Sequence, residues 1–194
     1  MTEHRTWRAA VFIAASVDGY IALPDGDLEW LTDPPPEPRH VPAHTGEHPP
    51  PDYEEFTAGV SHLVMGRGTY DKVLTFESWP YEKFRVLVLS TTLPMGDDPR
   101  ITVVRSTTEA QQLLDADTAS GVYVDGGQVL TDFLRRGLVD ELTITRAPVI
   151  LGRGLPLFHE LPRQIRLVHR GTASLGAGMV STRYSVVRDD QKQH

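Results

Sequence analysis

Short apolar runs alternate with amphipathic stretches along most of this chain. Arg8–Ala15 is the first apolar run and predicts a buried strand. His62–Met65, Arg85–Ser90, Ile101–Val104, Val122–Val124 and Glu141–Thr145 repeat the pattern. Runs without polar alternation suit strands covered on both faces. The stretches between them have helical spacing. Asp52 opens a short helix as N-cap, with Glu55 at capping-box distance. A second helix follows Gly66-Arg67-Gly68-Thr69 and runs to about Phe76, and a third spans Thr108–Leu114. In the fourth, Val129, Leu130, Phe133, Leu134 and Leu138 share one face. Arg135 and Arg136 suit its last turn, and Gly137 suits its stop. Ala147–Leu151 is expected to continue in extended form. Ile165–Arg170 and Met179–Val187 predict a closing antiparallel hairpin around a glycine-rich loop, Gly171–Gly178. Strands alternating with helices imply an α/β fold with a mostly parallel sheet. The 194 residues are expected to form a single domain.

One segment breaks the pattern. Residues 33–52 hold eight prolines and few apolar side chains, which predicts a loop insertion. His40, His44 and His48 fall within it at a spacing of four, but prolines forbid the helix that would align them. A zinc or nickel enzyme using these histidines is the weakest of three functional readings, and no metal site is assigned. The formal net charge of −7, with no basic cluster, argues against nucleic acid as a partner. With no cysteine, thiolate catalysis and disulfides are excluded. The polar N-terminus and the absence of a long apolar run make a cytoplasmic protein, without a membrane partner, the expectation.

The candidate chemistry lies in the turns that follow strands. Ser16-Val17-Asp18-Gly19, Gly66-Arg67-Gly68-Thr69, Ser90-Thr91-Thr92 and Asp125-Gly126-Gly127-Gln128 each follow an apolar run. In a parallel sheet all four fall at the carboxyl end, where ligands bind. Gly66–Thr69 completes neither a dinucleotide fingerprint nor a P-loop, since Asp occupies position 71 and no Gly-Lys-Ser/Thr follows. It does offer a helix start, an arginine and a hydroxyl, and Ser90 and Thr91 add two more hydroxyls. That set suits a phosphomonoester. Gly126-Gly127 adds a second helix start and permits close approach to the backbone.

These segments also carry a resemblance. Val11–Ala15, Val64–Tyr70, Val86–Ser90 and Val122–Leu134, in that order, resemble the dihydrofolate reductase-like superfamily. Ser16-Val17-Asp18-Gly19-Tyr20-Ile21-Ala22 and Val149–Phe158 more closely resemble the reductase domain of bacterial riboflavin biosynthesis. The resemblance implies a three-layer fold with a central sheet of about eight strands. It implies NADPH as cofactor, with Gly66, Arg67, Gly68 and Thr69 at its phosphates and Ser90 and Thr91 at its adenosine end. Gly126, Gly127, Gln128 and Val129 would meet the pyrophosphate, the two glycines being often joined by a cis peptide in this fold. Ala14 and Gly19 would border the nicotinamide, with Ala15, Asp18 and Trp30 toward a small-molecule substrate. It further implies a homodimer.

The superfamily holds its substrate with one acid. Asp27 and Asp52 compete for that role here, with Glu29, Glu54 and Glu55 behind them, and the proline-rich segment separates the two. His159 and His169 lie off the convergent turns and are read as structural. The expected function is an NADPH-dependent reductase of a pteridine-like or pyrimidine-like heterocycle, not a true dihydrofolate reductase. The alternative is a non-catalytic nucleotide-binding module on the same fold.

Overall fold

The computed structural model describes residues 5–32 and 43–188. His40 and the first part of the proline-rich segment lie outside them. In chain order the elements are β1 (Arg8–Ala15), β2 (Tyr20–Ala22), α1 (Glu29–Thr32), β3 (His44–Thr45), α2 (Tyr53–Thr57), β4 (His62–Gly66), α3 (Arg67–Val73), β5 (Arg85–Leu89) and β6 (Ile101–Val104). There follow α4 (Thr107–Ala116), β7 (Gly121–Asp125), α5 (Gly127–Arg135), β8 (Val139–Arg146), β9 (Leu155–Pro156), β10 (Leu167–Ser174) and β11 (Val180–Val186).

Nine strands form one sheet in the order β3-β10-β11-β8-β1-β7-β4-β5-β6. From β8 to β6 every neighbouring pair is parallel. β11, β10 and β3 extend this sheet antiparallel beyond β8. The expected hairpin is therefore present, but β10 runs on to Ser174 and shortens the loop. The count exceeds the expected eight because part of the proline-rich segment supplies β3, pairing His44 and Thr45 with Ala173 and Thr172. Residues 147–151 leave the sheet instead of continuing β8.

The sheet's two faces bury different sets, as strand alternation requires. Val64, Leu87, Val122 and Val124 face Ala110 and Leu114 of α4 and Leu130 and Phe133 of α5. Leu63, Met65, Val86 and Tyr123 face the other way, toward Tyr70 of α3 and Phe56 of α2. Each fully buried Leu or Phe contributes about 1.5–3 kcal/mol of apolar transfer. α5 follows its sequence pattern: Val129, Leu130, Phe133 and Leu134 are buried, and Gly137 turns out of the helix at φ 66°.

The connections set the site. β4 leads through α3 to β5 on one side, whereas β7 leads through α5 to β8 on the other. The chain thus diverges at the carboxyl ends of the adjacent strands β4 and β7. A ligand crevice is expected at such a switch point.

Candidate functional site

At this switch point α3 and α5 begin on opposite faces of the sheet, and their first turns touch. Gly66 is the N-cap of α3 and Gly126 the N-cap of α5. A Cβ on Gly126 would stand 2.6 Å from Thr69 Oγ1, and one on Gly66 would stand 3.3 Å from Val129 Cγ2. Gly126 also adopts φ 88°, which disfavours any other residue. No cis peptide occurs among the described residues, so Gly126-Gly127 is trans, contrary to the implied cis bond. Gly127 is small for a separate reason: its Cβ would lie 2.2 Å from the Pro156 carbonyl oxygen of β9. The close approach expected at the glycine pair is thus made by the protein's own chain. Both helix starts leave unpaired N–H groups at the crevice. Gly68 and the exposed Gln128 lie in these first turns, while Val129 is buried beneath them.

Arg67 sits at the outer end. Its Nη1 donates to Thr92 Oγ1 at 3.2 Å and its Nε to Asp71 at 3.2 Å, and its side chain is 45% exposed. The guanidinium is therefore held over the turn after β5 with donors still open to solvent. Ser90 Oγ accepts from the N–H groups of Thr92 and Leu93, so it shapes this turn, while Thr91 is exposed. Arg105 braces the turn from below, donating to the carbonyls of Ser90 and Leu93 at 2.7 and 2.8 Å.

At the inner end the loop after β1 is tied down. Ala14 and Ala15 end β1 beside Thr145 and Arg146 of β8, and Ala15 is fully buried in the core. Asp18 accepts from Ser16 Oγ at 2.6 Å, Leu151 N–H at 3.1 Å and Gly152 N–H at 2.7 Å. These bonds, the Ser16 hydroxyl first, hold its carboxyl below the usual range. Asp18 is thus a latch between two loops. Gly19 takes φ 87° and accepts from Leu157 N–H. Trp30 is half-buried, and among the described residues its buried indole N–H has no partner.

The two competing acids both accept from backbone N–H groups at helix starts. Asp27 accepts from Leu28 and Glu29 N–H at the start of α1. Asp52 and Glu55 form the reciprocal capping box of α2, and Glu29 and Glu54 are exposed. A further carboxylate stands at the crevice: Asp125, the last residue of β7. It accepts from Gly126 N–H at 2.8 Å. Burial pushes its carboxyl up to about 6, with that N–H opposing the rise. Its charge is felt by Tyr53, Tyr81 and Tyr123, whose phenols are all raised, by burial first. The sequence holds one signal for Asp125, a lone acid closing a buried strand directly before the glycine pair. The aromatic groups around it come from distant segments and carry no local signal.

The remaining histidines fall elsewhere. His169 bonds Thr172 on β10, and His159 donates its backbone N–H to Thr131. Among the described residues no group of three or more His, Asp or Glu side chains could hold a metal ion.

The sequence profile of the RibD C-terminal domain matches residues 9–181. The chain belongs to the RibD C-terminal domain family. The uncharacterized protein YwjB of Bacillus subtilis is 32% identical over 173 residues, covering 87% of this chain and 92% of its own. Among solved structures, a Shewanella sp. PV-4 protein provisionally named for riboflavin biosynthesis is 35% identical. It superposes with a TM-score of 0.78 over 93% of this chain and 99% of its own. A pyrimidine reductase-like protein of Corynebacterium diphtheriae shares the fold at 18% identity and a TM-score of 0.64, over 94% and 92% of the two chains. The RibD C-terminal domain architecture here is the three-layer, mostly parallel, dihydrofolate reductase-like fold with antiparallel closing strands. None of its described helices is long and apolar enough to cross a membrane.

Proposed function

We propose that this chain is an NADPH-dependent reductase of a small heterocycle. The observation that carries the reading is the meeting of two helix starts, at Gly66 and Gly126, beside Arg67 and the Ser90–Thr92 turn. Those groups fit a dinucleotide. The N–H groups of α3 and α5 would hold its pyrophosphate, and Arg67 with Thr91 would hold the 2′-phosphate. NADPH, when bound, supplies the hydride. The chain's own part is to orient the two reactants and move a proton. Asp125 takes that proton role in place of Asp27 and Asp52, because a carboxyl near 6 can both hold and release a proton around neutrality. The buried indole N–H of Trp30, without a partner among the described residues, would be a donor to a substrate acceptor that reaches it. Asp18 keeps the loop after β1 closed over the inner end. The family and a structural neighbour named pyrimidine reductase-like support this reading.

The test is titration of NADPH and NADH into the wild-type protein and Arg67→Ala. Loss of charge-assisted bonds of about 1.5–3 kcal/mol predicts roughly 10- to 100-fold weaker NADPH binding and unchanged NADH binding. Equal, millimolar affinity of the wild type for both would refute the role of Arg67. NADPH oxidation with pteridines and pyrimidines then separates the reductase from a binding module.

A further inference from the structure

α3 carries one charge pair the wrong way round for its own stability. A cation suits the last turn of a helix and an acid the first, and a pair four residues apart is better with the acid leading. Here Arg67 opens α3, and Asp71 follows four residues later toward the carboxyl end. Both side chains are well exposed, and their contact is 3.2 Å. An exposed pair of this spacing changes a folding equilibrium by about 2-fold at most. Asp71 also stands where a G-x-G-x-x-G turn would have its last glycine. The helix itself gives no reason for an acid at this place.

What the pair does govern is the reach of Arg67. A guanidinium has five N–H donors. Asp71 takes the one on Nε, and Thr92 Oγ1 takes one of the two on Nη1. Among the described residues the other three, one on Nη1 and both on Nη2, have no partner. Arg67 can therefore meet an anion, but with a carboxylate at the next edge of the same plane. A phosphate that takes the Nε and Nη2 edge as a fork must first displace Asp71. The turn that holds Arg67 adds no acid of its own, since Ser90, Thr91 and Thr92 are neutral. Arg105 lies beneath it, using Nη1 on the carbonyls of Ser90 and Leu93. Arg105 and any other cation attract an anion whether or not residue 71 is charged. They set the starting affinity, and Asp71 lowers it.

We propose that Asp71 is a specificity-determining residue that opposes the 2′-phosphate: it competes with that phosphate for Arg67 and holds the preference for NADPH over NADH below what Arg67 alone would give. This rests on the reductase reading of the same crevice, which puts the 2′-phosphate at Arg67. The ligand class that gains from loss of the Asp71 charge is an adenosine bearing a 2′-phosphomonoester, and the same nucleotide without that phosphate gains nothing. A carboxylate facing a phosphomonoester of nearly two charges across a few ångströms of water, screened by salt, weakens binding about 3- to 10-fold.

NADPH and NADH are titrated by their own fluorescence into the full-length wild-type protein, Asp71→Asn and Asp71→Glu, each at low and high salt. Asp71→Asn keeps the shape and removes the charge. It should bind NADPH about 3- to 10-fold more tightly than the wild type and NADH unchanged, with the NADPH gain shrinking at high salt. Asp71→Glu keeps the charge and should bind NADPH within about 2-fold of the wild type. NADPH affinity unchanged or weakened in Asp71→Asn, an equal gain for NADH, or a gain that salt does not reduce would overturn the proposal while leaving the reductase reading in place. Failure of NADPH to bind both the wild type and Asp71→Asn would remove the cofactor reading and the proposal with it.

Discussion

Replacing Asp125 with Asn should make the protein more stable and less active, and the two effects should follow pH differently. The carboxyl is raised from an ordinary 3.8 to about 6 in the folded chain. The native state therefore binds more protons than the unfolded state between these values. The ionised form disfavours folding, fully above about pH 6, and this cost fades as pH falls toward 4. A shift of about two units corresponds to about 3 kcal/mol, an upper bound because the residue is half-buried and water screens it. Asn keeps the shape and can still accept from Gly126 N–H. Urea unfolding at pH 7.5 should show Asp125→Asn stabilised by about 1–3 kcal/mol, the gap shrinking to about half at pH 5. Reduction should fall by about 10²-fold or more at pH 7, with NADPH binding retained. A variant no more stable than wild type at pH 7.5, or a gap independent of pH, would refute the reasoning. Such an exchange of stability for activity is expected where a site holds a charge in apolar surroundings.

Two further outcomes follow from the same structure. Asp98 is gripped by Arg100 and by the Tyr70 hydroxyl, and the Arg100 bonds hold its carboxyl far below the usual range. Its stabilising effect is present above the unfolded value near 4 and lost as pH falls through the depressed one, so Asp98→Asn should cost about 1–3 kcal/mol at pH 7 and progressively less in acid, measured by thermal unfolding. Gly127→Ala would drive a methyl into the Pro156 carbonyl of β9, and overpacking of about 1–3 kcal/mol should appear as a lowered Tm together with faster amide exchange in residues 153–158.

Much of the frame was legible because its signals are local. The bounds of β1 and β6, the apolar face of α5 and the Asp52–Glu55 box each lie within one short window of sequence. The two-residue strands β3 and β9 were not, since a pair of residues has no period and pairs only because a distant strand is already in place. The site divides in the same way. Its cofactor end is marked by glycines and hydroxyls, the residues that turns require. Its other end is not, because Tyr53, Tyr81 and Asp125 come from α2, from the segment before β5 and from β7, and meet only in the fold. Asp27 and Asp52 attract attention in the sequence through the local feature that makes them caps.

The position of β1 has a consequence for how the chain reaches its fold. Arg8 pairs with Gly121, and Ala9 with Val122 on one side and Val139 on the other. The earliest of the described strands is thus the centre of the sheet, and both its neighbours are made late. Until β7 and β8 emerge, Ala9, Val11 and Ala15 have no apolar cover, and both backbone edges of β1 are open. Pairing so distant in sequence is slow, and the exposed edges can meet other nascent chains first. Refolding at low concentration should therefore recover more protein than refolding at high concentration, and a cut between β6 and β7 should leave neither fragment with a complete sheet.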